Sequence, residues 1–593
     1  MYILGISESH TATAAILKDG EIIACASEER FVRKKSVTGL PRNAIQYCLK
    51  EANILSSEID LVVFSFKNPG LFLGHFEEEK KKSLLNFVVS YGSSQMNYFI
   101  NSFNIDLPEI FYKIFNFFYL FTYRFFAEKR LQKLHNAFLE KELKVNKEKF
   151  FFLDHHTAHA FAPFYMYKRN NSEKYLVITN DGYGDSVCGR VFTVSNSRWK
   201  EIASTSNSNS LGWVYAYTTK LLGFTPGEHE YKVMGLAPYA PKEGVEKAYN
   251  IIKNLIWLKD VSFESKIPRI GYFPYLRKHL VGIRFDYIAG GLQKLTENLL
   301  VGQIKNAMKK TGIKKVVVGG GVFMNVKANM EIASIPGISE YSIMPSAGDE
   351  STAIGACYYG YKKLCEERGL PFIPTSLHNL YLGPGFTEEE IKKAFISEKI
   401  LHNDLYKVEK LQNPSKKIAN LIADGKIVAR FAGKMEFGAR ALGNRSILAN
   451  PKDTRVIKII NDQIKGRDFW MPFAPVVLTE RMHDYFVIPK AKVNNEYMMV
   501  AYKTKELAQE ELIACLHQYD FTARPQVLSY EMNPSYYEII KEFESLTGIG
   551  AILNTSFNIH GEPIVCSPAD AIKTLKNSGL KYLALENYLI TKR

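Results

Sequence analysis

Short apolar runs broken by small polar residues set the rhythm of this chain. Tyr2–Glu29, YILGISESHTATAAILKDGEIIACASEE, reads as strand, polar small-residue loop, strand, tight Asp-Gly turn, strand. Tyr175–Ser204, YLVITNDGYGDSVCGRVFTVSNSRWKEIAS, repeats that order with an Asp/Gly loop and a Ser-Asn turn. Each copy opens on a buried apolar strand that stops at small residues, where backbone N–H groups can approach a phosphate closely. The echo predicts a duplicated α/β domain with a cleft between its halves. Between the copies, about residues 66–150 are rich in Phe, Tyr and Lys and predict a helical insertion. Its most apolar stretch, Ile110–Phe126, is interrupted by Lys113, Asn116 and Arg124, which fits a buried or partner-packing helix better than a membrane span.

Further on, Lys314–Ile332 (KKVVVGGGVFMNVKANMEI) is a strand, a glycine triplet and a helix start, an arrangement that can receive nucleotide phosphates. Asp349 and Glu350 then open a helix of small residues, Ser346–Leu364. The texture changes over Gly369–Phe395, where three prolines and a Gly-Pro-Gly turn precede a well-capped helix, so a domain boundary is expected near residue 380. Beyond it, apolar strands alternate with loops carrying Arg440, Arg445, Lys465, Arg467, Arg524, Asn554 and Ser556. Cations and neutral donors where strands end suit an anion pocket, since each phosphate or carboxylate oxygen wants a directed donor.

Composition narrows this little. With 593 residues, 46% hydrophobic and 23% charged, the chain is an ordinary globular sequence long enough for several cores. The net charge of +15 is spread along the chain without an arginine-rich tail, so nucleic acid is not required. Seven scattered cysteines without a C-x-x-C fit buried thiols in a reducing compartment. MYILGISESH reads as a strand and not as a signal peptide, so a soluble cytoplasmic protein is expected, with no membrane partner.

The densest chemistry is DHHTAHAFAPFY, Asp154–Tyr165, where three of the 13 histidines fall within five residues. His155 and His159 are four apart and share one face of a helix, able to hold one ion. Taken alone, the pair is equally compatible with a helix cap and solvated imidazoles.

Together these stretches resemble the ATP-dependent O-carbamoyltransferases, the family of nodulation-factor, tobramycin and cephamycin biosynthesis enzymes. The resemblance rests on GISESHTATAAILKDGEIIACASEERFVRKK, DHHTAHA, DGYGD, EHEYKVMGLAPY, GGGVFMN, AGDESTAIGA, GKMEFGARALGNRSILANP and LNTSFNIHGEPIV, in that order. It implies an α/β chain with two domains. Residues 1–380 would form a duplicated actin/sugar-kinase/Hsp70-like (ribonuclease H-like) domain, and residues 381–593 a YrdC-like one. The second would make carbamoyladenylate from carbamoyl phosphate and ATP. The first would transfer the carbamoyl group to a hydroxyl of a small-molecule acceptor, a natural product or sugar.

The resemblance also implies residue roles. His155, His159, Asp181 and Asp349 would bind a divalent transition metal, with iron ahead of manganese and zinc, and Mg would accompany ATP. His10 would be the general base, and Lys35 would meet a phosphate or carbamoyl oxygen. Glu230, Lys232, Gly319, Gly320, Gly321 and Asn325 would frame the nucleotide. Arg440, Lys465, Arg524, Asn554 and Ser556 would hold carbamoyl phosphate and then the adenylate. The chain departs from the pattern at Thr11, Ser36 and Ala439, where the family usually has aspartate, histidine and proline. The first two departures bear on the acceptor end. The other readings are a tRNA threonylcarbamoyl-type transferase and a non-catalytic nucleotide-binding regulator. The aromatic insertion offers a homodimer surface.

Overall fold

The structure is a computed structural model that describes residues 1–67, 128–170, 172–401 and 403–593. Most of the predicted insertion, including Ile110–Phe126 and the expected dimer surface, lies outside the described residues. Its last part is the helix Glu128–Leu143. No described helix is long and apolar enough to cross a membrane. All seven cysteines are buried.

The chain packs as two compact units, Met1–Cys25 with Ser36–Ser376, and Ala26–Lys35 with Leu377–Arg593. In the first unit, β1 (Tyr2–Ser7), β2 (Thr13–Lys18), β3 (Glu21–Ser27), β4 (Leu61–Phe64) and β5 (Phe150–Phe152) form a sheet in the order β3-β2-β1-β4-β5. β1 pairs antiparallel with β2 and parallel with β4, and β4 pairs parallel with β5. The second half repeats this with β6 (Lys174–Gly184), β7 (Val187–Ser195) and β8 (Arg198–Ser206). After a small hairpin, β9 (Ile256–Lys259) and β10 (Ser262–Ser265), come β11 (Lys315–Gly319) and β12 (Glu340–Ile343), giving β12-β11-β6-β7-β8. Here too the first three strands are antiparallel and the last two join in parallel. Both copies turn between their second and third strands with two residues at positive φ, Asp19 and Gly20 in one, Asn196 and Ser197 in the other. That is the hairpin turn whose twist matches the strands. It lies one residue beyond the expected Ser-Asn pair.

Two helices join the halves of this unit at close range. The helix Thr352–Glu367 lies against β1 and against the histidine helix His155–Met166. A Cβ at Gly5 would stand 2.1 Å from the Ala353 carbonyl oxygen, and one at Gly355 only 1.9 Å from that of Ala158. Glycine at both positions is what lets the helix starts converge.

The second unit is built on an eight-stranded sheet. Its members are β13 (Tyr406–Lys410), β14 (Val428–Phe431), β15 (Arg445–Ala449), β16 (Ala474–Leu478), β18 (Gln526–Leu528), β19 (Ala551–Ser556), β20 (Tyr582–Leu585) and β21 (Tyr588–Lys592), with the two-residue β17 (Lys492–Val493) outside it. The order is β13-β21-β20-β14-β15-β19-β16-β18, mixed parallel and antiparallel. Its core includes Phe431, Ile447, Leu553, Leu583 and Ile590. The helix Glu388–Ser397 opens on a capping box between Thr387 and Glu390. The segment Ala26–Lys35 is held in this unit by its arginines. Arg30 donates to the Gly438 carbonyl (2.7 Å), and Arg33 to those of Ile564 (2.6 Å) and Pro563 (2.8 Å).

Candidate functional site

The histidine helix begins at a proper cap, since Asp154 accepts from the Thr157 N–H at 2.9 Å. His155 is then the first helical residue and His159 lies one turn on, both fully buried. The His155 ring is set by its Nδ1, 3.2 Å from the Ser65 carbonyl, which makes Nδ1 the donor and aims a bare Nε2 inward. That Nε2 has no hydrogen-bond partner among the described residues; it stands 3.4 Å from Asp349 Oδ1 and 3.7 Å from Asp181 Oδ2. His159 Nε2 lies 3.3 Å from the same Asp349 oxygen.

Asp181 sits where β6 breaks register with β7, an irregularity that re-aims a side chain at a strand end. Asp349 opens the turn that leads into Thr352–Glu367. The four residues offer ligand atoms that all lie within 4.8 Å of one another. Two buried imidazoles, the buried Asp349 and the partly buried Asp181 converge in a donor set that fits iron(II), manganese or zinc.

The electrostatics of this cluster are dominated by its carboxylates. Burial works against a charged His155, but Asp349 and Asp181 override it and raise its pKa to about 10. Burial opposes ionisation of Asp349 too, yet His155, His10 and His159 hold it well below the usual carboxylate range. His156 differs from its neighbours. Burial, then His155 and His159, push its pKa down, and its Nδ1 lies 2.9 Å from Thr179 Oγ1, so it is a neutral packing residue.

Around the cluster stand other residues singled out in the sequence. His10 Nδ1 is 3.5 Å from Asp349 Oδ2, with its side chain half exposed. Partial burial opposes its charge, but Asp349, Asp181 and Glu350 raise its pKa to about 9, above the near-neutral range a general base needs. The glycine triplet touches the cluster directly. A Cβ at Gly319 would meet the His159 carbonyl oxygen at 2.4 Å, Gly320 has φ 97°, and the Gly321 N–H donates to Asp181 Oδ1 at 2.8 Å. Glu230 accepts from the Gly227 N–H at 2.6 Å, and burial raises its pKa, with His10 near enough to oppose the rise. Lys232 lies 5.5 Å from the Phe224 ring centre. Asn325 caps the helix Val326–Ala333 and exchanges two amide hydrogen bonds with Gln293, both 2.9 Å, so its side chain is committed to structure.

The sequence reading missed Glu350 as part of this neighbourhood. It is buried, bonded to Ser346, and accepts from Thr11 Oγ1 at 3.4 Å. Thr11 thus supplies a donor to a buried carboxylate where the family's usual aspartate would oppose one.

In the second unit, Lys465 ends a π-turn, Asn461–Lys465, a local irregularity common at functional positions. Its Nζ donates to the Ser556 carbonyl and to Asn558 Oδ1, with Ser556 Oγ at 3.1 Å. Burial, then Arg467 and Lys35, pull its pKa well down. Arg524 is likewise lowered by burial, then by Arg440 and Arg467. Five cations, Lys35, Arg440, Lys465, Arg467 and Arg524, therefore act on one another. Asn554 donates to the Ala441 carbonyl at 2.9 Å, tying β19 to the loop of Arg440. Lys35 belongs with this unit and not with the unit that holds His10. Asn558, missed from sequence, has as its only signal its place two residues beyond Ser556.

Arg445 corrects the expected anion pocket. It is fully buried on β15, its guanidinium carbon 3.5 Å from the Phe431 ring centre, and it donates to the carbonyls of Ala432, Asn444, Pro384 and Gly433. It holds the Pro384 and Gly433 segments together and is not an anion ligand.

An α/β chain with a buried His₂Asp₂ cluster in one unit and a nest of interacting cations in the other is the class these observations define. Comparison with known proteins makes it specific. Residues 2–358 match the family model described as Carbamoyltransferase N-terminus and residues 419–592 match Carbamoyltransferase C-terminus. The chain belongs to the carbamoyltransferase family. It is 31% identical to the uncharacterized protein sll1178 of Synechocystis, covering 100% of this chain and 97% of that one. It is 30% identical to the nodulation protein NolNO of Sinorhizobium fredii, covering 98% of this chain and 79% of that protein. Among solved structures, component A of the (R)-2-hydroxyglutaryl-CoA dehydratase of Acidaminococcus fermentans aligns at 15% identity with a TM-score of 0.32, over 61% of this chain and 98% of that one.

Proposed function

We propose that this protein is an ATP-dependent O-carbamoyltransferase with two separate sites. In the second unit water cleaves carbamoyl phosphate to carbamate and inorganic phosphate, and the carbamate oxygen attacks the ATP α-phosphate to give carbamoyladenylate and pyrophosphate. The first unit then transfers the carbamoyl group to a hydroxyl of a small natural product or sugar, releasing AMP. The observation that carries the two-site reading is that the two charge clusters, of opposite sign, fall in different compact units. The repeated strand order of the first unit supports the duplicated actin/sugar-kinase-like domain, and in this reading residues 381–593 are the YrdC-like one.

In this reading Arg524, Arg440 and Lys465 hold the phosphate oxygens, and Ser556 and Asn558 fix the Lys465 ammonium. His155, His159, Asp181 and Asp349, whose imidazole Nε2 atoms and carboxylate oxygens converge, would hold a divalent cation, which would supply Lewis-acid polarisation of the acyl group. Asp349 orients His10 through Nδ1, leaving Nε2 to take the acceptor proton. The carboxylates that raise the pKa of His10 are the same ones that would hold the cation, so sharing their charge brings the imidazole back toward neutrality.

Arg524→Ala should cut carbamoyl phosphate consumption by about a hundredfold, the effect of losing a charged partner at a desolvated phosphate. It should still carbamoylate acceptor when carbamoyladenylate is supplied. Asp349→Ala should release pyrophosphate normally and carbamoylate nothing. Equal loss of both half-reactions in both folded variants would mean one composite site.

A further inference from the structure

Beside Asp181, the end of β6 packs against a pair of donors, Arg269 and Trp213, that nothing above uses. Arg269, at the start of the turn Arg269–Gly271, lies between two aromatic rings. Its guanidinium carbon is 5.2 Å from the Tyr183 ring centre and 5.1 Å from that of Trp213. The residue is partly buried and its guanidinium makes no hydrogen bond or ion pair with any described residue, so its N–H fork is unspent. Trp213 packs its indole edge against Gly182, where a Cβ would stand 3.6 Å from Nε1. That Nε1–H is buried and has no partner among the described residues.

The geometry points to an anion-binding site formed by Arg269 and Trp213 at the mouth of the Asp181 loop, taking a phosphate or carboxylate group of a ligand bound beside the cluster. Both groups are donors only, so the complement is an acceptor-only group. Stacking fixes the plane of the guanidinium without spending its N–H bonds, which preorganises the fork for a bidentate oxyanion. A buried N–H without an acceptor is rare enough to need an explanation, and the same anion supplies one. The site is coupled to the cluster through the backbone, since the Tyr183 N–H lies 3.4 Å from Asp181 Oδ2.

The test uses the full chain carrying Arg524→Ala, so that the second unit's cations do not dominate, and reads tryptophan emission without turnover. Its result is therefore separate from the fate of the carbamoyl reading. Inorganic phosphate should change the emission, and the change should vanish in Trp213→Phe. Arg269→Gln should need at least about tenfold more phosphate, and Arg269→Lys, which keeps charge but loses the stacked fork, should fall between. AMP binding more tightly than phosphate, with adenosine also binding, assigns the anion to the nucleotide. AMP binding no more tightly than phosphate assigns it to an acid group on the acceptor. No phosphate response in the parent, or unchanged phosphate affinity in both Arg269 variants with unchanged melting, overturns the site.

Discussion

The two charge clusters of this protein are built on opposite rules. In the first unit, carboxylates crowd imidazoles, so His155 is driven toward its charged form while Asp349 is held ionised. In the second, cations crowd cations in a buried setting, so Lys465 and Arg524 are driven toward their neutral forms. In the proposed reading, the first cluster takes a metal cation and the second a phosphate. They also differ in how they are held. The first is fixed by backbone at close range, through Gly319, Gly321 and Gly355. The second is fixed by side chains, with Asn558 and Ser556 gripping Lys465. A site that binds a small ion needs ligand positions set to tenths of an ångström, and glycine-mediated backbone contact provides that. A site that binds a larger anion tolerates flexible ligands, provided their charges are concentrated.

The sharpest way to break this contrast is to remove the imidazoles. His155→Ala with His159→Ala should abolish stoichiometric transition-metal binding and acceptor carbamoylation while leaving carbamoyl phosphate consumption intact. Elemental analysis showing undiminished metal would dismiss these residues as ligands. A second variant tests whether every buried cation of the second unit belongs to its anion site. Arg445→Met removes a guanidinium that donates to four carbonyls and stacks on Phe431. Asn444 and Pro384 keep the backbone N–H groups of Ala432 and Met435, but losing the donor to Ala432 and Gly433 together with the Phe431 stack should destabilise the protein by about 3 kcal/mol. The midpoint of denaturant unfolding should therefore fall, while the Kd for phosphate in the surviving folded protein stays unchanged. A weakened phosphate affinity at wild-type stability would return Arg445 to the anion site.

Local features of this molecule could be read from sequence, and features set by the third dimension could not. The H-x-x-x-H spacing put His155 and His159 on one face because helical periodicity alone decides that. Asp181 and Asp349 come from separate elements, and only the ordered family motifs tied them to the pair. The strand-loop-hairpin echo foretold the repeated sheet order, since both copies carry the pattern in contiguous sequence. Arg445 misled for a physical reason: charge is visible in a sequence, but which side of β15 it faces is not. Asn325 looked like a ligand because the Gln293 amide that occupies its side chain, beyond the local cap on Ala328, comes from a distant helix. The path of Ala26–Lys35 into the second unit was invisible too, because Arg30 and Arg33 anchor it to carbonyls at Gly438, Pro563 and Ile564.

The smallest predicted effect tests the backbone-fixed character of the first cluster without touching a ligand. The Thr352 hydroxyl donates to the Asp349 carbonyl at 2.6 Å and lies 2.8 Å from Ser65 Oγ. Ser65 in turn presents the carbonyl that orients His155. One hydroxyl therefore links the residue that aims an imidazole to the turn that aims a carboxylate. Thr352→Val keeps the shape and the β-branch but removes that link, inside a fully buried pocket. Outer partners of this kind are typically worth about 10–100-fold in metal affinity. Because the backbone and the glycine contacts persist, the low end is expected, about tenfold weaker binding in a chelator competition. The second unit offers the control: its phosphate affinity should not change. A tenfold loss confined to the metal would show that the first cluster depends on how its ligands are aimed. No loss at all would mean that the close glycine packing alone fixes them.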